Sequence, residues 1–360
     1  MKTPLKKIMK IALLLVFLLI ITVIFYVGYL FLSYGRIEDQ LALKHDDGAI
    51  ATQMSIGEEY TVVTQNIGFG AYSKDFTFFM DGGKESRARS MEAVLSNTEG
   101  VLNQVQKLKP DLILFQEVDL DSTRSHHVDQ YQLIREKFKG FDSVKAINYD
   151  SGYLFYPFRE PHGKSLSSLA TASRFHMEAS LRRSLPVSTD YSKFFDLDRC
   201  YTITTIPVEN GKKLQLYNVH LSAYGGSPEI RDGQMNMLME DIAKDISQGN
   251  YVICGGDFNH DFTGDSSILM NKGEHDFGWA QPFPDEKIPD GLHKLTEYSS
   301  GQMIPTTRNT DIPYEKGVSF VVILDGFLVS SNVKWFEVEN IDNGFEFTDH
   351  NPVKLKFMLQ

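Results

Sequence analysis

Cysteine and tryptophan are scarce in this chain, with two of each among 360 residues. Two cysteines, Cys200 and Cys254, exclude a disulfide-stapled scaffold. Cys254 lies in an apolar run and reads as a small core residue; a Cys200–Cys254 bridge stays open for a domain outside the cell. No Asn-x-Ser/Thr acceptor site occurs, so N-glycosylation has no place to act. Internal repeats and low-complexity tracts are also missing. Nor is there a basic stripe with interleaved aromatics of the kind that tracks nucleic acid. The formal net charge is −11.

Hydrophobic residues make up 42% of the chain, enough for a large core in one big domain or two modest ones. Ile11 to Leu32 contains no charged residue. A bilayer-crossing helix needs about 20 apolar residues, whereas a signal peptide has a core of about 7–15 and a small-x-small site. The length therefore favours an uncleaved anchor. Lys2, Lys6, Lys7 and Lys10 precede it, and Arg36 is soon followed by Glu38 and Asp39. The positive-inside bias places residues 1–10 in the cytoplasm, 11–32 across the membrane, 33–58 outside as a tether, and 59–360 as an extracytoplasmic domain. Residues 1–36 carry five basic and no acidic side chains, so the remainder holds −16. That field opposes non-specific adhesion to polyanions unless a local basic cleft overcomes it.

Tyr60 to Ile67 alternates and predicts a strand. Glu85 to Leu108 has helical spacing and stops before Pro110. Asp111 to Val118 is an apolar run of buried-strand type, and helix returns over Val128 to Phe138. Further strands are expected at Ser143–Ile147, Leu166–Ala172, Tyr201–Val208 and Lys213–Val219. A helix should follow with Ser227 as N-cap and Pro228 at its first position. Tyr251 to Cys254 reads as a strand running into Gly255-Gly256, residues 260–318 as long surface loops, and Ser319–Val329 and Val353–Met358 as closing strands.

Polar residues stand at the ends of these strands: Asn66, Glu117, His220, Asp257 with Asn259, Asp325, and Asp349-His350. Burying an ionisable strand end is costly unless it is paired or bound to a metal. One sheet edge that gathers them would make a single polar pocket.

Six segments occur in order: Thr64-Gln65-Asn66-Ile67, Phe115-Gln116-Glu117-Val118, Asn218-Val219-His220-Leu221, Gly256-Asp257-Phe258-Asn259, Leu324-Asp325-Gly326-Phe327 and Thr348-Asp349-His350. Together they resemble the endonuclease/exonuclease/phosphatase superfamily with its deoxyribonuclease-I-like fold, over about residues 60–358. The resemblance implies a four-layer α/β sandwich, two packed mixed β-sheets flanked by helices, behind one N-terminal transmembrane helix. It also implies roles. Glu117, Asn66 and Asp349 would form a shell for Mg²⁺, with Mn²⁺ as a substitute. Asp257 would activate water and Asn259 fix it, His350 held by Asp325 would face the phosphate, and His220 would do similar work opposite. Some relatives carry a further carboxylate two residues beyond the strand-end Asn, where this chain has Gly68. Arg124 and, beside Thr306 and Thr307, Arg308 are candidates to grip a substrate phosphate.

The expected activity is that of a membrane-anchored, extracytoplasmic, Mg²⁺-dependent phosphodiesterase acting on a lipid head-group or small phosphodiester. An extracellular nuclease of the same fold is one alternative, and a catalytically silent binding ectodomain is another. The partners implied are a phosphate-ester substrate and the membrane; no protein partner is evident.

Overall fold

Val62-Val63 and Leu112 to Phe115 are apolar at consecutive positions because both faces of their strands are covered. Val62, Leu112 and Leu114 point inward to a core shared with Leu214, Leu216, Ile253 and Phe327 of a second sheet. Val63, Ile113 and Phe115 point outward to a helical layer with Val101, Leu102 and Ile134. The computed structural model describes residues 3–194, 197–222, 227–271 and 278–360.

One sheet has six strands in the spatial order Val333–Asn340, Val353–Leu359, Glu59–Asn66, Leu112–Asp119, Leu166–Ser173 and Asp142–Asp150. The other has seven: Leu41–Ala42, Ala179–Ser184, Cys200–Pro207, Lys213–His220, Tyr251–Asp257, Asp325–Ser330 and Leu292–Lys294. Each contains one parallel pair, Glu59–Asn66 with Leu112–Asp119 and Lys213–His220 with Tyr251–Asp257. Helices Met91–Lys107 and Pro228–Ser247 make the respective crossovers. Met235, Leu238 and Ile242 of the second helix cover the outer face of the seven-stranded sheet. Helix, sheet, sheet and helix give the four expected layers.

A Cβ at Gly255 would lie 2.4 Å from the ring of Phe327, its partner on the neighbouring strand, and 3.0 Å from Leu114 of the facing sheet. Nearby, Asn218 crosses between the sheets. Its amide donates to the Phe115 and Ala170 carbonyls at 3.2 and 3.1 Å, and its oxygen accepts from Gln116 Nε2 at 2.8 Å. These satisfied polar groups fix the two sheets' offset directly beneath the strand ends.

Several expectations need correction. The helix expected from Glu85 begins at Met91, because the Ser90 hydroxyl accepts from Ala93 N–H and caps it there. Ser227 holds the N-cap position without a side-chain cap bond. The stretch read as one strand from Ser319 splits into Val321–Val322 and Asp325–Ser330, which belong to different sheets. Within 260–318 lie a short helix, Ser266–Met270, and the strands Leu292–Lys294 and Thr307–Arg308; residues 272–277 of that stretch lie outside the described residues. Cys200 and Cys254 are both buried free thiols.

Residues 33–58 are laid against the domain and do not form a free tether. Leu41–Ala42 pairs with Ala179–Ser184, Met54 is wholly buried in the inter-sheet core, and Asp39 accepts from the Ser184 N–H at 2.8 Å. The Asp142 carboxylate accepts from the N–H groups of Gly48 and Ala49, each at 2.8 Å, and of Met177 at 2.9 Å. Burial alone would raise its pKa, but these donors hold it below the usual carboxylate range. A lowered folded pKa means that its stabilising contribution is present above the ordinary carboxylate pKa and fades as pH falls through the folded one. Asp142→Ala is therefore expected to cost about 1–3 kcal/mol at neutral pH, shrinking below about pH 4. Denaturant titration at the two pH values checks this; equal stability of both proteins at neutral pH would show that the strap contributes nothing there.

Leu5–Ser33, within the helix Thr3–Ser33, is the one segment among the described residues long and apolar enough to cross a membrane.

Candidate active site

Parallel neighbours end at the same edge of a sheet, and this fold has two such pairs facing each other. Asn66 ends one strand and Glu117 lies near the end of its parallel neighbour. In the other sheet His220 and Asp257 stand side by side in register, and Asp325 pairs in register with Asp257 from the other flank. Asp349 and His350 arrive on the turn before Val353–Leu359, where His350 bridges to Thr307. All of these but Asn66 and Asp325 line one cleft of about 180 Å³, together with Asn259. The structure thus brings the strand-end residues together.

The backbone is bent to aim them. Glu117 and Asn259 have φ of +55° and +49°, conformations that cost about 1–3 kcal/mol for a residue with a side chain. The register of Glu117's strand shifts between Phe115 and Val118, a bulge that turns Glu117 toward the cleft. Gly68 (φ +52°) would place a Cβ 2.6 Å from the Tyr72 ring and 3.0 Å from the Asp349 carboxylate. The extra carboxylate of some relatives has no room here.

Asn66, expected to assist Glu117 at the metal, is placed between two carboxylates. Its oxygen accepts from Gly68 N–H at 3.0 Å, which turns Nδ2 toward Glu117 Oε1 at 3.3 Å and Asp257 Oδ2 at 3.2 Å. It bridges two carboxylates as a donor. Asn259 likewise braces the site, its N–H on Asp257 Oδ1 at 2.9 Å and its amide donating to Leu221 O at 2.7 Å.

The two histidines differ electrostatically, although they were expected to act alike. His350 Nδ1 donates to Asp325 Oδ2 at 2.8 Å, and the Thr307 hydroxyl donates to the same oxygen at 3.2 Å. Burial opposes the His350 imidazolium, yet Asp325, Asp257 and Asp349 raise its pKa to about 10. Burial, with Arg199 and His350 adding to it, drives His220 well below 6.5, so it is neutral. Both Nε2 atoms flank Asp257 Oδ2, at 3.6 Å for His220 and 3.8 Å for His350.

Burial lifts the Asp257 carboxyl to about 7, with His350 opposing and Asp325 adding. Burial lifts Asp349 to about 6, with His350 opposing and Glu117 adding. Four carboxylates thus crowd one imidazolium, an excess of negative oxygen donors suited to a hard divalent cation. Asp257, Asp325 and His350 present ligand atoms within 4.8 Å of one another.

Arg124 and Arg308 both line the cleft, but each is already committed. Arg124 is bidentate to Asp119 at 3.0 and 2.9 Å and lies over the Phe69 ring. Arg308 donates to the carbonyls of Ser73, Phe76 and Asn309. Each still has donors to spare: Arg124 Nη1 lies outside its pair with Asp119, and Arg308 Nε is buried without a hydrogen-bond partner.

Two wall residues escaped the sequence reading. Asn148 is buried with both amide atoms unpartnered by protein, beside a register shift between Ile147 and Tyr149 that exposes its side chain to the cleft. His162 donates from Nδ1 to the Ser86 carbonyl at 2.9 Å, and burial lowers its pKa to about 4, so a neutral Nε2 is left as an acceptor. Neither closes an apolar run, the signal that marked the others.

No curated protein sequence matches the chain. Among solved structures it is similar to an endonuclease/exonuclease/phosphatase from Beutenbergia cavernae, at 14% identity and TM-score 0.58, covering 84% of this chain and 72% of that one. A family protein from Leptotrichia buccalis gives 15% and 0.54, covering 83% and 100%. ANGEL2, a 2′,3′-cyclic phosphatase in complex with adenosine-2′,3′-vanadate, gives 16% and 0.54, covering 90% and 99%. These likenesses concern the fold. Residues 63–319 match the model of the endonuclease/exonuclease/phosphatase family, which holds most of the strand ends gathered at the cleft, and the chain belongs to that family.

Proposed function

We propose that this hydrolase of phosphoric ester bonds is a membrane-anchored, extracytoplasmic, Mg²⁺-dependent phosphodiesterase, acting on a lipid head-group or other small phosphodiester. The observation that carries the reading is the charged Asp325–His350 pair set against Asp257, with Glu117 and Asp349 in the same cleft.

Asp257, with a carboxyl poised near neutrality, takes a proton from water as the water oxygen attacks phosphorus in line with the departing oxygen. Asn66 and Asn259 keep its two oxygens in place. His350, fixed through Nδ1 by Asp325, directs its Nε2–H to a phosphate oxygen as negative charge builds there. Neutral His220 offers a donor and an acceptor without adding charge. Mg²⁺ held by Glu117 and Asp349, with Mn²⁺ as a substitute, would supply electrophilic stabilisation of the phosphate oxygens. The −16 on the chain beyond residue 36 supports a small phosphodiester over a long polyanion.

The test uses the full chain in detergent micelles with bis(p-nitrophenyl) phosphate, sphingomyelin, inositol phosphates, DNA and RNA. Turnover should need Mg²⁺, fall at least about 100-fold in EDTA, and return with Mg²⁺ or Mn²⁺. Turnover that persists in EDTA overturns the metal-dependent reading. No turnover of any substrate would instead favour a binding ectodomain.

A further inference from the structure

Beside the catalytic cleft lies an apolar groove of about 610 Å³, lined by Tyr26 of the N-terminal helix and by Phe79, Leu154, Phe155, Tyr156 and Phe158. Cleft and groove share Met80, Tyr149 and His162 as lining residues, so the two adjoin across these side chains. Around the groove large apolar side chains are displayed to the outside, Phe158 being 84% exposed, Tyr156 64% and Met80 60%. Aromatic and thioether groups clustered like this beside a catalytic cleft mark a surface that something covers.

The helix says what covers it. Tyr26 OH donates to the Tyr153 carbonyl at 3.1 Å, the Tyr153 N–H donates to Tyr29 OH at 2.9 Å, and the Tyr26 and Phe155 rings meet edge-on at 5.1 Å. Lys10 is the last cation before the apolar run, and about 20 residues at about 1.5 Å each span the hydrocarbon. Counted from Ile11, the hydrocarbon ends near residue 30. Tyr29 then lies at the boundary where tyrosine concentrates, Tyr26 about 6 Å inside it, and the loop they touch shares that depth. The two hydroxyls satisfy both backbone polar groups of Tyr153, as a water-poor setting requires. Arg159 and Lys164 lie exposed around the loop, placed to meet lipid phosphates in an otherwise acidic domain.

We propose that the 153–158 loop sits in the bilayer interface and that the groove feeds the cleft from the membrane, making the substrate the phosphodiester of a bilayer lipid. The proposal rests on the phosphodiesterase reading and deepens it. The glycerol- or sphingoid-proximal part of the lipid occupies the groove, and its phosphate passes Met80, Tyr149 and His162 to reach Asp257. Water adds across one P–O bond: its oxygen joins phosphorus and its proton goes to the departing alcohol oxygen. The acyl-bearing product stays in the bilayer and the other leaves in solution.

The experiment uses the full chain reconstituted in vesicles of phosphatidylcholine, phosphatidylglycerol, phosphatidylethanolamine and sphingomyelin with Mg²⁺. A Phe155→Ser/Phe158→Ser variant changes exposed groove residues only. It should hydrolyse soluble bis(p-nitrophenyl) phosphate within about twofold of the parent and vesicle lipid at least about tenfold more slowly, from the lost burial of two aromatic rings. Vesicle turnover equal to the parent's overturns the proposal, as does a parent that hydrolyses the soluble ester but no vesicle lipid. Independently, Phe158→Trp should gain emission that lipids brominated on the acyl chain quench, beyond the quenching of the two native tryptophans. Absence of that added quenching overturns the placement, including occupation of the groove by a protein. Loss of soluble turnover in the parent marks failure of the phosphodiesterase reading instead, and the quenching still decides the docking.

Discussion

Asp257→Ala is expected to lower the turnover of a soluble phosphodiester by about 10²–10⁴-fold, the range for loss of a positioned proton acceptor. The upper end applies because this carboxylate is a hub: Asn66, Asn259, His220 and His350 all approach it within 3.8 Å. The fold should lose far less. Burial raises the folded pKa of Asp257 to about 7, so its charged form is disfavoured by folding. That penalty is absent below the ordinary carboxylate pKa and fully present above about 7, and there the substitution relieves it. Initial rates with Mg²⁺ and melting curves in chelator separate the two effects. A rate within tenfold of the parent would remove Asp257 from the chemistry.

Asp325→Asn should slow turnover by about 10²–10³-fold, a much larger effect than its lowering of thermal stability. Asparagine has the same shape, and its amide oxygen can still accept from His350 Nδ1 and Thr307 Oγ1 as Asp325 Oδ2 does. The Thr306 hydroxyl accepts the backbone N–H of residue 325 at 3.1 Å and is untouched. The charge that favours the imidazolium goes, and the amide nitrogen takes the place of Oδ1, which is buried without a hydrogen-bond partner. Rate measured beside thermal denaturation distinguishes the cases: an unchanged rate removes the proposed pair, and a rate loss matched by a large fall in melting temperature makes Asp325 a packing residue.

The strand-end residues were legible because an apolar run that stops at a carboxylate or an imidazole is a local signal. Parallel pairing then carries separate ends to one edge, as at Asn66 with Gln116 and His220 with Asp257. The alternating faces of Leu112 to Phe115 likewise foretold a sheet covered on both sides. Other features depend on tertiary detail that no local pattern records. Ala179–Ser184 carries Arg182 and Arg183, and Val333–Asn340 carries Lys334, Glu337 and Glu339, so charge hid two strands whose pairing comes from neighbours. Asn148 reaches the cleft through a one-residue register shift. The direction of the Asn66 amide is set by the Gly68 N–H, and the neutrality of His220 chiefly by burial; residue type and order show neither.

The strap formed by residues 37–58 has a kinetic consequence. With Leu41–Ala42 zipped to the sheet edge and Arg36 Nη2 donating to the Leu185 carbonyl at 3.0 Å, little slack remains between the apolar helix and the hydrolase. With that helix in a bilayer, enzyme and anchor drift as one raft, and the cleft keeps a constant height and tilt. If, as proposed, the substrate is a bilayer lipid, its encounters with the cleft become a two-dimensional search, governed by how densely it populates the leaflet.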